Sequence, residues 1–214
     1  MHRNFCPDFF KELCVGGDCL LIEIIKKILE DSVKVKEKFI MENMSNLIAL
    51  AEKIAMAFTS DCKLMICGNG GSAADAQHIA AEFVNRYMLD RPPLPAMALT
   101  TDTSVITSIG NDFSFDDVFS KQVKGLGMAG DVLLAISTSG NARNVLSAVK
   151  DARTLGIYTA GLTGGEGGKL EGLVDLALVV RSDVTPRIQE AHILSGHILC
   201  RLVDYILFER HLSD

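Results

Sequence analysis

The sequence predicts an α/β fold: one domain built on a five-stranded parallel sheet with helices on both faces, preceded by two N-terminal helices used in oligomerisation. Three observations predict it. Five short apolar runs alternate with stretches of helical periodicity. The runs are continuous rather than alternating, as in strands covered on both faces. Two of them end in small, polar, glycine-containing turns that open directly into helices, the arrangement that places a pocket at the carboxyl edge of a parallel sheet.

Taken in order, residues 1–19 form an irregular N-terminal segment, and residues 20–62 hold the two helices, at 20–30 and 33–60. Leu21, Ile24, Ile25 and Ile28 recur at helical spacing in the first, and Leu47, Leu50, Ala51 and Ile54 share one face of the second. Neither belongs to a minimal α/β unit, so their apolar faces call for another subunit. Residues 63–214 form the α/β core, and 20–214 together make one structural domain. Strands are expected at 63–67, 96–100, 131–137, 158–162 and 176–180. Helices are expected at 72–87, 103–109, 116–125, 142–156 and 186–209. Arg91-Pro92-Pro93-Leu94-Pro95 turns into the second strand, and the glycine-rich run 164–168 reads as a flexible turn after the fourth.

Composition narrows the function. A chain of 214 residues can bury a sizeable core, and 48% hydrophobic against 22% charged residues is globular. A net charge of −6 without a basic cluster argues against a nucleic-acid surface. Cys6, Cys14, Cys19, Cys62, Cys67 and Cys200 include no C-x-x-C pair, so they read as reduced thiols. With no secretory leader and no apolar run of bilayer-spanning length, no membrane partner is expected and the cytoplasm is the default compartment.

Two turns carry the chemistry. Cys67-Gly68-Asn69-Gly70-Gly71-Ser72 follows the first strand and launches a helix, so backbone N–H groups face a ligand. Ser137-Thr138-Ser139-Gly140-Asn141 follows the third strand and offers three hydroxyls beside another helix N-terminus, a phosphate site that needs no Lys or Arg. One N-cap needs only one such residue. No Gly-Lys-Ser/Thr follows either turn, which excludes a Walker loop.

On the first helix His78 and Glu82 stand i, i+4 and share a face. Arg187-Ile188-Gln189-Glu190-Ala191-His192 opens the last helix, and His197 follows. His, Glu, Gln and His could hold a divalent metal such as zinc and move protons. By spacing alone each is more simply a helix-surface contact. Spacing also leaves the last helix ambiguous: Glu190 nearly superimposes on His197 in projection, whereas Gln189 is offset by about a quarter turn.

The run from Gly68 to His78 (Gly-Asn-Gly-Gly-Ser-Ala-Ala-Asp-Ala-Gln-His) resembles the sugar isomerase (SIS) domain of phosphoheptose isomerases. So do Gly110-Asn111-Asp112-Phe113, the run from Asp131 to Asn141, and Arg187-Ile188-Gln189-Glu190-Ala191-His192, all in family order across about 33–208. The resemblance implies a ketose–aldose isomerase that converts sedoheptulose 7-phosphate to D-glycero-D-manno-heptose 7-phosphate through a cis-enediol. That is the first step toward nucleotide-activated heptose for lipopolysaccharide, capsule or S-layer sugars. It further implies a homotetramer with active sites assembled from neighbouring subunits and one zinc per subunit.

By the same resemblance Ser137, Thr138 and Ser139 hold the phosphate. Asn69, Gly70, Gly71 and Ser72 contact the sugar, with Asn111 and Asp112 as further contacts. Glu82 is the base and His197 its partner acid; His78, Glu82, Gln189 and His197 hold zinc, which favours Gln189 over Glu190 by analogy and not by geometry. Two positions depart from the family pattern: Ala142 replaces a common Ser after the phosphate loop, with Arg143 or a helix N–H as compensation, and Pro186 replaces an Asp found in some members. The rival reading is a non-catalytic SIS-domain binding protein of the replication-initiator-associating type, which would be expected to lose the acid/base pair that Glu82 and His197 supply here. SIS regulators and arabinose-5-phosphate isomerases usually add a module for which this length leaves no room.

Overall fold

A computed structural model describes residues 19–210. The expected irregular segment before residue 19, with Cys6 and Cys14, lies outside the described residues. The two expected N-terminal helices are one: α1 runs unbroken over Cys19–Thr59. No Gly or Pro interrupts it, and Asp31-Ser32, read as a boundary, is not one. Ser32 is buried, and its hydroxyl donates to Glu190 Oε2 at 2.6 Å instead of capping a new helix.

The core alternates as expected: β1 (Leu64–Gly68), α2 (Gly71–Val84), β2 (Ala96–Ala98), α3 (Thr103–Asp112), α4 (Ser120–Leu126), β3 (Val132–Ser137), α5 (Arg143–Thr154), β4 (Tyr158–Gly164), α6 (Gly168–Glu171), β5 (Leu176–Val180) and α7 (Thr185–Asp204). The helix expected at 116–125 splits into a 3₁₀ turn, Phe115–Asp117, capped by Ser114, and α4. α6 was not anticipated; it is a single turn held by Leu170, whose side chain is fully buried. α7 ends in a wider π-helical turn, Tyr205–Glu209.

All strand pairs are parallel, in the order β2-β1-β3-β4-β5. Alternate strand residues feed two cores. Leu64, Ile66, Val132, Leu134, Ile136, Leu162 and Leu178 face α1, α2 and α7. Met65, Cys67, Leu133 and Ala135 face α3, α4 and α5. Full burial of each Val, Leu, Ile or Met side chain contributes about 1.5–3 kcal/mol. Asp131, fully buried, accepts from the Lys63 and Met128 amides and from Lys63 Nζ, which fixes the start of β3 beside β1.

The segment Thr185–Glu209 is long and apolar enough to cross a bilayer, contrary to the sequence expectation. Here it is a core helix: α1 and α2 pack along it, and Ala191, Leu199, Cys200 and Val203 are buried. α1 behaves differently along its length. Its second half buries Phe39, Leu47, Leu50 and Ile54, whereas Leu20, Leu21, Ile24, Ile25, Ile28 and Leu29 are exposed.

Candidate active site

The strand order reverses direction between β1 and β3, the place where a parallel sheet opens a crevice at its carboxyl edge. Both turns singled out in the sequence lie there. Asn69, after β1, and Asn144, in the first turn of α5, exchange a pair of amide hydrogen bonds, each 2.8 Å, across that crevice. Asn144 was missed by sequence reasoning; an Asn inside a helix's first turn, where it is a poor helix former, was the available signal.

The first turn is built for close approach. Gly70 has φ +56°, and a Cβ on Gly71 would run into the Gln189 amide. Ser72 is buried behind the turn, and its N–H donates to the Asn69 carbonyl at 3.0 Å. No side chain caps α2 or α5, whereas Asp102 caps α3 by accepting from the Val105 N–H. The Ser72, Ala73 and Ala74 N–H groups bond the carbonyls of their own turn and the Val145 N–H bonds Asn144 Oδ1, so it is the N–H groups of Gly71, Arg143 and Asn144 that are left to a ligand.

Around the second turn lies a cavity of about 330 Å³, lined by Thr138, Ser139 and Asn141 on one side and by Gly165, Glu166 and Thr185 on the other. Ser137 is buried at the end of β3, and its carbonyl accepts from the Gly140 N–H at 2.9 Å. Ser139 Oγ accepts from the Asn141 N–H at 3.2 Å. The expected flexible turn at 164–168 is instead the cavity's far wall, tied to the 137–141 loop. Leu170 N–H donates to the Gly140 carbonyl at 3.0 Å, and Thr163 Oγ1 donates to the Gly167 carbonyl at 3.1 Å. Ala142 stands at the α5 N-cap and makes no side-chain bond there. Arg143 pairs with Asp116 at 3.3 Å. Pro186 sits in the first turn of α7, where its missing N–H costs nothing.

α7 links the cavity to the titratable residues. Thr185 and Ile188 line the cavity, Gln189 faces the Gly71 turn, and His197 reaches His78 and Glu82 on α2. The Nε2 atoms of His78 and His197 lie 2.9 Å apart, and Glu82 Oε1 lies 3.4 Å from His78 Nε2. Tyr87 stacks on His197 with ring centroids 5.6 Å apart. Asp75, one turn before His78, has a buried Oδ2 without a hydrogen-bond partner, and burial raises its carboxyl while His78 opposes the shift.

The three donor atoms lie within 4.8 Å of one another. Tetrahedral zinc with bonds near 2.0–2.1 Å separates its ligands by about 3.3 Å, so this two-nitrogen, one-oxygen set fits that ion with small adjustments. The fourth expected donor, Gln189, has its amide on the Gly71 turn. Its rival Glu190 is engaged elsewhere, by Ser32 of α1 and by Arg187. Asn111 and Asp112 end α3, exposed and bonded to each other at 2.8 Å; they do not line the cavity.

His192 was noted in the sequence only as part of a motif. It is fully buried, and its Nε2–H donates to the Thr163 carbonyl at 3.1 Å. Burial lowers its imidazole from 6.5 to about 4, partly opposed by that hydrogen bond. The unfolded chain therefore binds a proton that the folded one refuses. The stability this neutral group contributes is complete above about pH 6.5 and is lost as pH falls toward 4. We expect the urea unfolding free energy to drop by about 2 kcal/mol more between pH 7 and 5 in wild type than in His192→Gln. An equal slope in both proteins would contradict a buried neutral imidazole.

Comparison with known proteins identifies the family. The SIS domain family profile matches residues 29–164. A phosphoheptose isomerase of Nitratidesulfovibrio vulgaris is 50% identical over 191 residues, 89% of this chain and 92% of its own length. The solved phosphoheptose isomerase of Neisseria gonorrhoeae superimposes with a TM-score of 0.81 at 45% identity, over 86% of this chain and 98% of that one. That of Francisella tularensis gives 0.81 at 39% identity, over 86% and 97%. With similarity of this extent in sequence and in fold, the chain belongs to the phosphoheptose isomerase family of SIS-domain proteins.

Proposed function

We propose that this protein converts sedoheptulose 7-phosphate to D-glycero-D-manno-heptose 7-phosphate by an intramolecular ketose–aldose isomerisation. The observation that carries the reading is the convergence of Glu82 and His197, from two helices, with α7 also lining, through Thr185 and Ile188, the cavity beside a hydroxyl-rich loop. Ile188 at the cavity and His197 are nine residues apart on α7, about 13 Å of helix rise, so a substrate that touches both ends must be elongated.

The Ser137, Thr138 and Ser139 hydroxyls and the uncapped start of α5 hold the phosphate. The Asn69–Ser72 turn carries the sugar chain. Glu82 takes a proton from C1 of the ketose while His197 gives one to the C2 carbonyl oxygen. The cis-enediol that results returns its O1 proton to His197 and receives the Glu82 proton at C2, which leaves the aldose. Zinc on His78, Glu82, Gln189 and His197 would supply positive charge against the oxyanion developing on the substrate.

The assembly is proposed to be a homotetramer working in the cytoplasm, upstream of nucleotide-activated heptose. The exposed Leu20, Leu21, Ile24, Ile25, Ile28 and Leu29 make an apolar face larger than isolated surface residues explain. Asn111 and Asp112 reach sugar across a subunit boundary in this reading. Wild type is expected to sediment as a tetramer, and Ile24→Glu with Ile28→Glu to dissociate it while helical content is kept. A stable wild-type monomer at micromolar protein would contradict the assembly. Conversion of sedoheptulose 7-phosphate by zinc-supplied protein tests the activity, and its absence would remove it.

A further inference from the structure

Behind the reacting face of α2 lies a buried ion pair that the isomerisation chemistry does not call for. Arg91, in the loop between α2 and β2, and Asp204, at the end of α7, have side chains only 1% exposed. Arg91 Nε donates to Asp204 Oδ1 at 2.8 Å. The rest of the guanidinium is spent on carbonyls: Nη2 donates to Glu82 O at 3.0 Å, and Nη1 donates to Phe83 O at 2.6 Å and Pro92 O at 3.1 Å. Glu82 and Phe83 lie in the last turn of α2, where carbonyls have no partner within the helix; Phe83 O also accepts from the Leu94 N–H at 3.1 Å. The rigid fork of Arg thus grips the backbone of Glu82 itself and fastens it to α7, the helix that carries His197.

We propose that Arg91 and Asp204 are positioning residues that set the separation of Glu82 and His197. Stability alone is a poor reason for such a pair, because apolar residues of similar volume commonly replace a buried ion pair without loss. Asp204 Oδ2 is moreover left buried without a partner. What an apolar replacement would not supply is the donor fork on the Glu82 carbonyl. The inference rests on the roles given to Glu82 and His197 above.

The test separates position from stability. Arg91→Met and Asp204→Leu singly leave an uncompensated buried charge and are expected to melt well below wild type. The double variant R91M/D204L removes both charges and is expected to recover most of that loss. Its kcat on sedoheptulose 7-phosphate should still fall by about 10- to 100-fold, the cost of a displacement near 1 Å. KM should stay within about twofold of wild type, since the phosphate loop is held independently. Affinity of the metal-free protein for zinc alone should weaken about tenfold, as for other supporting residues behind metal ligands. Arg91→Lys keeps the charge but not the fork; it should show the same kcat loss and serves if the double variant does not fold. A folded double variant, or Arg91→Lys, with wild-type kcat and zinc affinity would overturn the proposal. A wild type that turns nothing over would instead fail the isomerase reading, and the zinc titration would still decide this one.

Discussion

Glu82→Gln is expected to lower kcat by about 10³- to 10⁴-fold, toward the upper end of what one positioned acid–base group contributes. The change is nearly isosteric and half-exposed, so fold, melting temperature and assembly should be unaltered. An amide cannot accept the C1 proton, and without that step no enediol forms. Substrate affinity should survive, because the phosphate site proposed for the loop after β3 lies in a cavity that Glu82 does not line. A variant that binds the ketose phosphate and leaves it unchanged is the expected result. Wild-type turnover by Glu82→Gln would move the base elsewhere, with Asp75 the nearest unengaged carboxyl on the same helix.

The second large effect is expected at Gly140. Its φ of +63° lies in the left-handed region, and a Cβ there would collide with the Gly167 carbonyl. Gly140→Ala therefore combines backbone strain of about 1–3 kcal/mol with forced separation of the phosphate loop from the 164–168 wall. Because that seam shapes the cavity, kcat/KM should fall by at least about a hundredfold, mainly through KM. Inorganic phosphate should lose most of its power to raise the melting temperature. Gly172→Ala is the control: its φ is −82° and nothing lies within 4 Å of a new Cβ, so kinetics and stability should be near wild type. Equal behaviour of the two variants would show that the seam does not shape the phosphate site.

The sheet was legible in the sequence because each strand is buried on both faces and so is written as an uninterrupted apolar run. The two ligand turns were legible because a strand followed by small polar residues and a helix leaves few local alternatives. What could not be read depends on contacts far apart in the chain. Ser32 resembles a helix start until Glu190, 158 residues away, accepts its hydroxyl. The same contact explains why a helical wheel could not choose between Gln189 and Glu190: the wheel fixes direction from α7, but not which neighbour waits in that direction. Asn144 is meaningful only beside Asn69, 75 residues earlier in the chain. Arg91 looked like turn punctuation next to two prolines, and its partners on α2 and α7 gave no local signal. The glycine run at 164–168 was read as freedom, whereas its glycines allow two loops to touch.

The central claim is that one pocket both holds a seven-carbon sugar phosphate and isomerises it. The most direct measurement follows sedoheptulose 7-phosphate by NMR with catalytic amounts of zinc-supplied wild-type protein. The account predicts that the ketose signals decay to an equilibrium mixture showing the anomeric C1–H and new C2–H of D-glycero-D-manno-heptose 7-phosphate, and that Glu82→Gln leaves them unchanged. Ketose that persists beside wild type, while still raising its melting temperature, would mark a sugar-phosphate binding protein and contradict the account.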